Sequence, residues 1–287
     1  MAAQLLLNGL VTGLLLALPA LALTLIFGIL KFANFAVGSM LTLGAYAGYV
    51  GNVVLGWPLA AAAALAAATG ALACLLSDAL VFERLRERGS ITLLVASMGV
   101  SLVIENICRF TFGNAALSFD IAPARPIRWQ GIRINHEQIV TAAAVVVILI
   151  LLHILLTASP LGRAMRAVAD NPALAAVRGI ERRTVARITW ALTGAVLGGA
   201  GVLAGLDRAI DPLMGWNYQI PIFAAAILGG LGSPVGAVAG ALMIGVAEEM
   251  SALILPTNYR QVVSFAVILV LLLFRTNGLF GAKAVRK

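Results

Sequence analysis

Two pairs of ionisable residues stand inside otherwise apolar stretches. Glu105 and Arg109 in SLVIENICRF are four residues apart, so on a helix they share a face and can pair. Glu248 and Glu249 close the run GALMIGVAEEM, and Asp207 and Asp211 fall on the same side of the membrane, where a solute would gain access. Charged groups at membrane depth are costly and point to function by default, although Glu105 and Arg109 also suit a structural pair near a helix end. The chemistry such groups could do is recognition of charge. A membrane enzyme would need His, Asp or Glu clustered at one depth, and these pairs are far apart in the chain. His153 is alone on an apolar helix and reads as a packing residue; His136 reads as a loop residue. Two separated histidines do not make a metal site. Cys74 and Cys108 have neither metal-ligand spacing nor a disulfide pattern. With no G-x-x-x-x-G-K-[ST] phosphate loop, the chain has no ATP-hydrolysing motif of its own, and nothing calls for a cofactor.

Two irregular stretches carry the rest of the polar chemistry. In ILKFANFAVGSMLTLGAY, Ile29 to Tyr46, the residues Lys31, Asn34, Gly38 and Ser39 interrupt two apolar runs. This is either a simple turn after the first span or a broken helix whose free backbone groups line a solute path. In SPLGRAMRAVADNPALAAVRGIERR, Ser159 to Arg183, five of the chain's twenty basic residues crowd together. Ser159 can cap a helix with Pro160 at its first position, where the missing N–H does no harm. Arg163, Arg166 and Asp170 would share that helix's polar face, with Arg166 and Asp170 able to pair. Asn171-Pro172 breaks it, because the residue before proline is pushed out of helical geometry, and Asn171 can cap a second short helix. Gly179 is a good stop for that helix. Leu174, Val177 and Ile180 give the second helix an apolar side. A helix this short is marginal in water and needs something to dock on.

The elements that must hold these residues are membrane helices. The chain has 287 residues, 61% apolar and 11% charged, against about half and a quarter in a soluble domain. A span needs about 20 apolar residues. Candidate spans run 5–30, 35–55, 59–82, 91–112, 139–157, 188–206, 218–231, 235–255 and 262–274, the seventh being short. The fold class is therefore all-α, a polytopic integral membrane protein with eight to nine transmembrane helices in a single domain over residues 1–287. No basic residue precedes the first apolar run, so it reads as a retained span and not a cleaved leader. Placing the N-terminus outside puts Lys31, Arg84, Arg86, Arg88, the arginines of 159–187 and the basic C-terminal residues inside, which is most of the twenty. The net charge of +8 thus reflects anchoring at the inner face; no basic run is interleaved with aromatics as a nucleic-acid binder requires. The longest outer loop, 113–138, holds Pro123, Pro126 and Trp129 and reads as an interfacial cap. Glycines recur four apart at Gly9/Gly13, Gly44/Gly48, Gly194/Gly198, Gly201/Gly205, Gly232/Gly236 and Gly236/Gly240, a spacing that lets helices approach closely or, less commonly, lines a pore.

Four segments in order, covering nearly the whole chain, resemble the permease subunits of bacterial ABC importers for branched-chain amino acids, the Liv type. LKFANFAVGSMLTLGAY looks like that family's N-F-A-H-G-E region, and LGRAMRAVADNPALAAVRGI like its G-R-A-x-R-A…D-x…G-I cytoplasmic loop. FAAAILGGLGSPVGAVAGALMIGVAE is similar to its Gly-rich stretch, and VVSFAVILVLLLFRTNGLFG to its closing R-P-x-G-L-x-G segment. The resemblance implies an ABC importer permease fold, a second homologous permease subunit, two cytoplasmic ATPase subunits that supply the energy, and a periplasmic solute-binding protein. It implies a multi-pass position in the bacterial inner membrane, N-terminus periplasmic and C-terminus cytoplasmic. It also puts Gly162, Arg163, Arg166, Asp170 and Gly179 in the loop coupled to the ATPase, which the capping pattern extends to Asn171, Pro172, Leu174 and Val177. Candidate solute-path residues are Asn34, Gly38, Ser39, Glu105 and Glu248. Val37 and Ser39 stand where the family has His and Glu, Thr276 follows Arg275 in place of proline, and Pro234 sits one place early. FAVGS drifts toward the pattern of related sugar permeases. The implied solute is a small amino acid, branched-chain first. The other reading is a channel or secondary transporter for urea, an amide or a sugar.

Overall fold

The structure, a computed structural model, describes residues 2–121, 126–129, 132–254, 256, 259–274 and 278–280. Pro123 and the basic residues Arg275, Lys283, Arg286 and Lys287, as well as Thr276, lie outside these. Among the described residues the regular structure is helical apart from one short hairpin and one isolated bridge. Its elements are α1 (Ala2–Leu30), α2 (Val37–Tyr49), α3 (Leu59–Ser77), α4 (Glu83–Leu85), α5 (Ser90–Phe112), β1 (Ile127–Trp129), β2 (Ile132–Ile134), α6 (His136–Ala158), α7 (Pro160–Asp170), α8 (Pro172–Val177), α9 (Arg182–Asp207), α10 (Met214–Gly229), α11 (Pro234–Ser251) and α12 (Arg260–Phe274). A wider π-helical turn, Val50–Val54, prolongs α2, and another, Asp78–Phe82, joins α3 to α4. Each of the nine candidate spans has its helix. Five of these, α1, the run Leu59–Leu85, α5, α6 and α9, are long and apolar enough to cross a membrane.

Burial sorts the helices. In α1 and α9 the most apolar stretch is 83% and 72% buried; in α6 it is 17% buried although α6 is the most apolar of all. The first two are therefore the centre of the bundle. α5, α6 and α12 turn large apolar side chains such as Phe110, Leu151 and Leu273 outward, as lipid-facing helices do.

Glycine sets the distance between the central helices. Without a hydrophobic drive between helices in lipid, association depends on close van der Waals approach, which only small residues permit. A Cβ on Gly198 of α9 would stand 2.0 Å from the Ala66 carbonyl oxygen of α3, and one on Gly70 would stand 2.2 Å from the Gly194 oxygen. Gly9 and Gly13 of α1 meet Gly245 and its neighbours on α11 in the same way, and Gly44 and Gly201 join α2 to α9. The packing reading of the glycine spacing thus holds for these pairs. Gly232 is the exception: it lies in the turn between α10 and α11 at φ +98 with open space around it, so Gly232/Gly236 is not a pair on one helix face.

Among the boundaries that differ from the sequence reading, two have a local cause. α10 begins at Met214, four residues before the apolar run, because Leu213 N–H bonds the Asp211 carboxylate and closes the preceding turn. His136 is the first residue of α6 and not a loop residue; Asn135 N–H donates to Gln138 Oε1, the reciprocal half of a capping box. Between α5 and α6, β1 and β2 form an antiparallel pair, and Leu117 bridges to Ile210 beyond α9.

Candidate functional site

The stretch between α6 and α9 folds as two capped helices. Ser159 Oγ accepts from Gly162 N–H at 3.0 Å, with Pro160 at the first position of α7. Asn171 Oδ1 accepts from Leu174 N–H at 3.0 Å, with Pro172 opening α8. Gly179, at φ +80, turns the chain out of α8. On α7, Gly162, Met165 and Val168 recur every three residues and are buried, which gives the helix one inward face.

The arginines do not use Asp170. Arg163 Nη1 donates to the Ala158 carbonyl at 3.1 Å; Arg166 donates through Nη1 to the Leu156 carbonyl and through Nη2 to the Thr157 carbonyl. The last carbonyls of α6 have no partner within their own helix and carry the negative end of its dipole. They therefore take the guanidinium groups, where a solvent-exposed carboxylate offers little. Gly162 completes the contact, since a Cβ there would stand 2.1 Å from the Leu156 oxygen. Gly162, Arg163 and Arg166 thus tie α7 across the end of α6. Asp170, Asn171, Pro172 and Gly179 are exposed. Leu174 and Val177 also face outward, while Ala175 and Ile180 turn toward the bundle. The apolar side of α8 is therefore split between an inner and an outer face. Beneath α7 a largely apolar cavity of about 810 Å³ opens between α1, α6 and α11, with His153 and Arg166 on its border. His153 is exposed there, not packed.

A second anchor holds the start of α9. Arg183 Nε lies 2.5 Å from Glu83 Oε1 and Arg187 Nη2 lies 3.6 Å from Glu83 Oε2. The Arg183 hydrogen bond holds the Glu83 carboxyl below its ordinary range, and Arg187 adds to this. Glu83 stands in α4, past the apolar part of the run. Beneath it Phe82 stacks on Trp190 at 4.9 Å and packs on Phe32 at 5.5 Å. Lys31, Glu83, Arg84, Arg86 and the α7–α9 arginines therefore share one end of the bundle. Asp78, in the π-helical turn, reaches Arg86 at 2.7 Å. None of these long-range partners of the loop has a signal in the sequence, because they lie about a hundred residues from it.

Asn34, Gly38 and Ser39 come together at a break between α1 and α2, where Lys31 takes φ 58. All three are buried. Asn34 Oδ1 accepts from Ala36 N–H, Ser97 Oγ from Phe35 N–H, and Gln219 Oε1 of α10 from Gly38 N–H at 3.0 Å. Thr42 links the same two helices by accepting from Gly215 N–H at 2.8 Å. Asn34 Nδ2 and Gln219 Nε2 remain buried without a partner among the described residues. The sequence reading missed Gln219; the signal that could have found it is an amide inside an apolar run. The other two candidates lie apart. Glu105 pairs with Arg109 at 2.8 Å on α5, while Glu248 is buried on α11 with Ser264 donating to it.

Apolar helices closed through glycines, a polar break buried among them, and an amphipathic helix pair at one end make this an all-α polytopic membrane permease. The chain belongs to the family described as branched-chain amino acid transport system / permease component, which matches residues 5–272. It is 32% identical to the high-affinity branched-chain amino acid transport system permease protein LivH of Escherichia coli K12, over 98% of this chain and 96% of that one. It is 29% identical to the corresponding permease protein BraD of Pseudomonas aeruginosa, over 99% and 97%. The ribose import permease protein RbsC of Escherichia coli K12 is 26% identical over 91% of this chain and 82% of that one.

Proposed function

We propose that this chain is the permease subunit of an ATP-driven importer for a small amino acid, branched-chain first, in the bacterial inner membrane. In that assembly it pairs with a second homologous permease subunit, receives solute from a periplasmic binding protein, and is driven by two cytoplasmic ATPase subunits. The family and the near full-length relation to LivH and BraD support the substrate class. The observation that carries the coupling assignment is the α7–α8 pair, tied to α6 by Gly162, Arg163 and Arg166 while it presents Leu174 and Val177 to solvent. The collection of basic side chains at that end supports a cytoplasmic position for it, and a periplasmic N-terminus. The cavity beneath α7 gives that helix room to shift against the bundle. Asn34, Gly38 and Ser39, facing Gln219 across a helix break, are the proposed hinge of the solute path; Glu248 belongs to its outer part, while Glu105, paired with Arg109, serves α5 itself. The relation to a ribose permease supports a sugar as the second substrate class. Co-expression with the neighbouring genes and purification in mild detergent tests the assembly. Co-elution of a second permease and ATPase subunits is expected, and a chain that purifies alone and carries solute on an ion gradient would refute it.

A further inference from the structure

At the end of the bundle opposite α7 a cavity of about 310 Å³ opens between α1, α10, α11 and α12. That is at the small end of the roughly 300–1,000 Å³ typical of small-molecule sites. Two guanidinium groups and two carboxylates share it, Arg208 and Arg260 with Glu248 and Glu249. Both glutamates are more than nine-tenths buried. The charges are not matched two by two. Glu249 pairs with Arg260. Glu248 accepts from the Ser264 hydroxyl and, among the described residues, pairs with no cation. Arg208 lies 5.7 Å over the ring of Tyr218, and the carboxylate within its reach is that of its exposed neighbour Asp207, 3.6 Å away and not among the residues lining the cavity. One cation and one buried anion therefore face the same small space without each other, beside the apolar wall at Leu16.

We propose that this cavity recognises the zwitterionic head of an α-amino acid. Arg208 receives the α-carboxylate, Glu248 receives the α-ammonium, and the side chain lies along Leu16. The Glu249–Arg260 pair holds α11 and α12 at the spacing this requires. The inference rests on the reading of the chain as an amino-acid permease and gives that reading a residue basis. A sugar offers neither charge and would leave Glu248 without a cation and Arg208 with only Asp207.

The test is direct binding to the assembled importer in nanodiscs without its binding protein, by saturation-transfer NMR. The probes are L-leucine, L-leucinamide, which lacks the carboxylate, and 4-methylpentanoate, which lacks the ammonium. The wild type is expected to favour leucine by about tenfold or more over each analogue, the value of a hydrogen bond to a charged group. Arg208→Met should abolish the preference over leucinamide alone, Arg208→Lys should restore part of it, and Glu248→Gln should abolish the preference over 4-methylpentanoate alone. A role confined to packing would weaken all three probes equally and leave both ratios unchanged, which would overturn the proposal. So would a wild type that binds none of the probes or all three alike. If the assembly shows no ATP-dependent amino-acid uptake at all, the permease reading itself fails; intact uptake with unchanged ratios removes only this site.

Discussion

Replacing Leu174 and Val177 together by serine tests the proposal that α8 docks on an ATPase subunit. Leu174 is 59% exposed and Val177 is 84% exposed. Fully burying a leucine or valine side chain stabilises by about 1.5–3 kcal/mol. Covering the exposed fractions would then contribute about 1–2 kcal/mol at each position, or about 3 kcal/mol for the pair. At 1.4 kcal/mol per decade this is about a hundredfold in affinity. Both side chains are on the surface, so the double variant should insert and fold as the wild type does. The assay is the dissociation constant between the ATPase subunits and the permease in nanodiscs, with ATP-driven uptake followed at limiting ATPase. Binding should weaken by about two decades, and uptake should recover when ATPase is added in excess. A dissociation constant within threefold of wild type would refute the assignment of this face.

Three further outcomes follow from the packing. Gly198→Leu places a side chain where a Cβ already stands 2.0 Å from the Ala66 oxygen; α3 and α9 must part, and folded yield in mild detergent should collapse. Asn171→Ala with Gly179→Pro removes a cap worth about 1 kcal/mol and imposes a negative φ where the chain takes +80, so uptake should be lost while membrane insertion is kept. Glu83→Gln deletes the clamp on Arg183 and Arg187. Because the folded Glu83 carboxyl is held below its ordinary value, its contribution is present above the unfolded value of about 4.3 and is lost as pH falls through the folded one. The difference in thermal stability between wild type and variant should be constant near neutral pH and vanish in acid.

What the sequence made legible is local. The caps at Ser159 and Asn171, the stop at Gly179 and the apolar runs all depend on residues within a few positions, and all appear in the structure. The glycine spacing carried the packing motif but not the partners: nothing near Gly70 says that it will meet Gly194. The expected Arg166–Asp170 pair was a correct reading of helix spacing that lost to a stronger acceptor, the open carbonyls of α6. Arg208 and Glu248 sit 40 residues apart in the chain, and their shared cavity depends on how α1, α10, α11 and α12 are arranged. Gln219 shows the intermediate case. Its polarity inside an apolar run was a signal the sequence reading did not use, and its role as acceptor for Gly38 exists only once α2 and α10 are packed.

The most direct test of the account is uptake into proteoliposomes holding the purified chain with its second permease and ATPase subunits, with binding protein and labelled L-leucine outside and no ion gradient. Uptake should require ATP inside and be abolished when the ATPases are omitted. Leucine accumulation driven by a proton or sodium gradient without ATP, or ATP-driven uptake of ribose and not leucine, would contradict it.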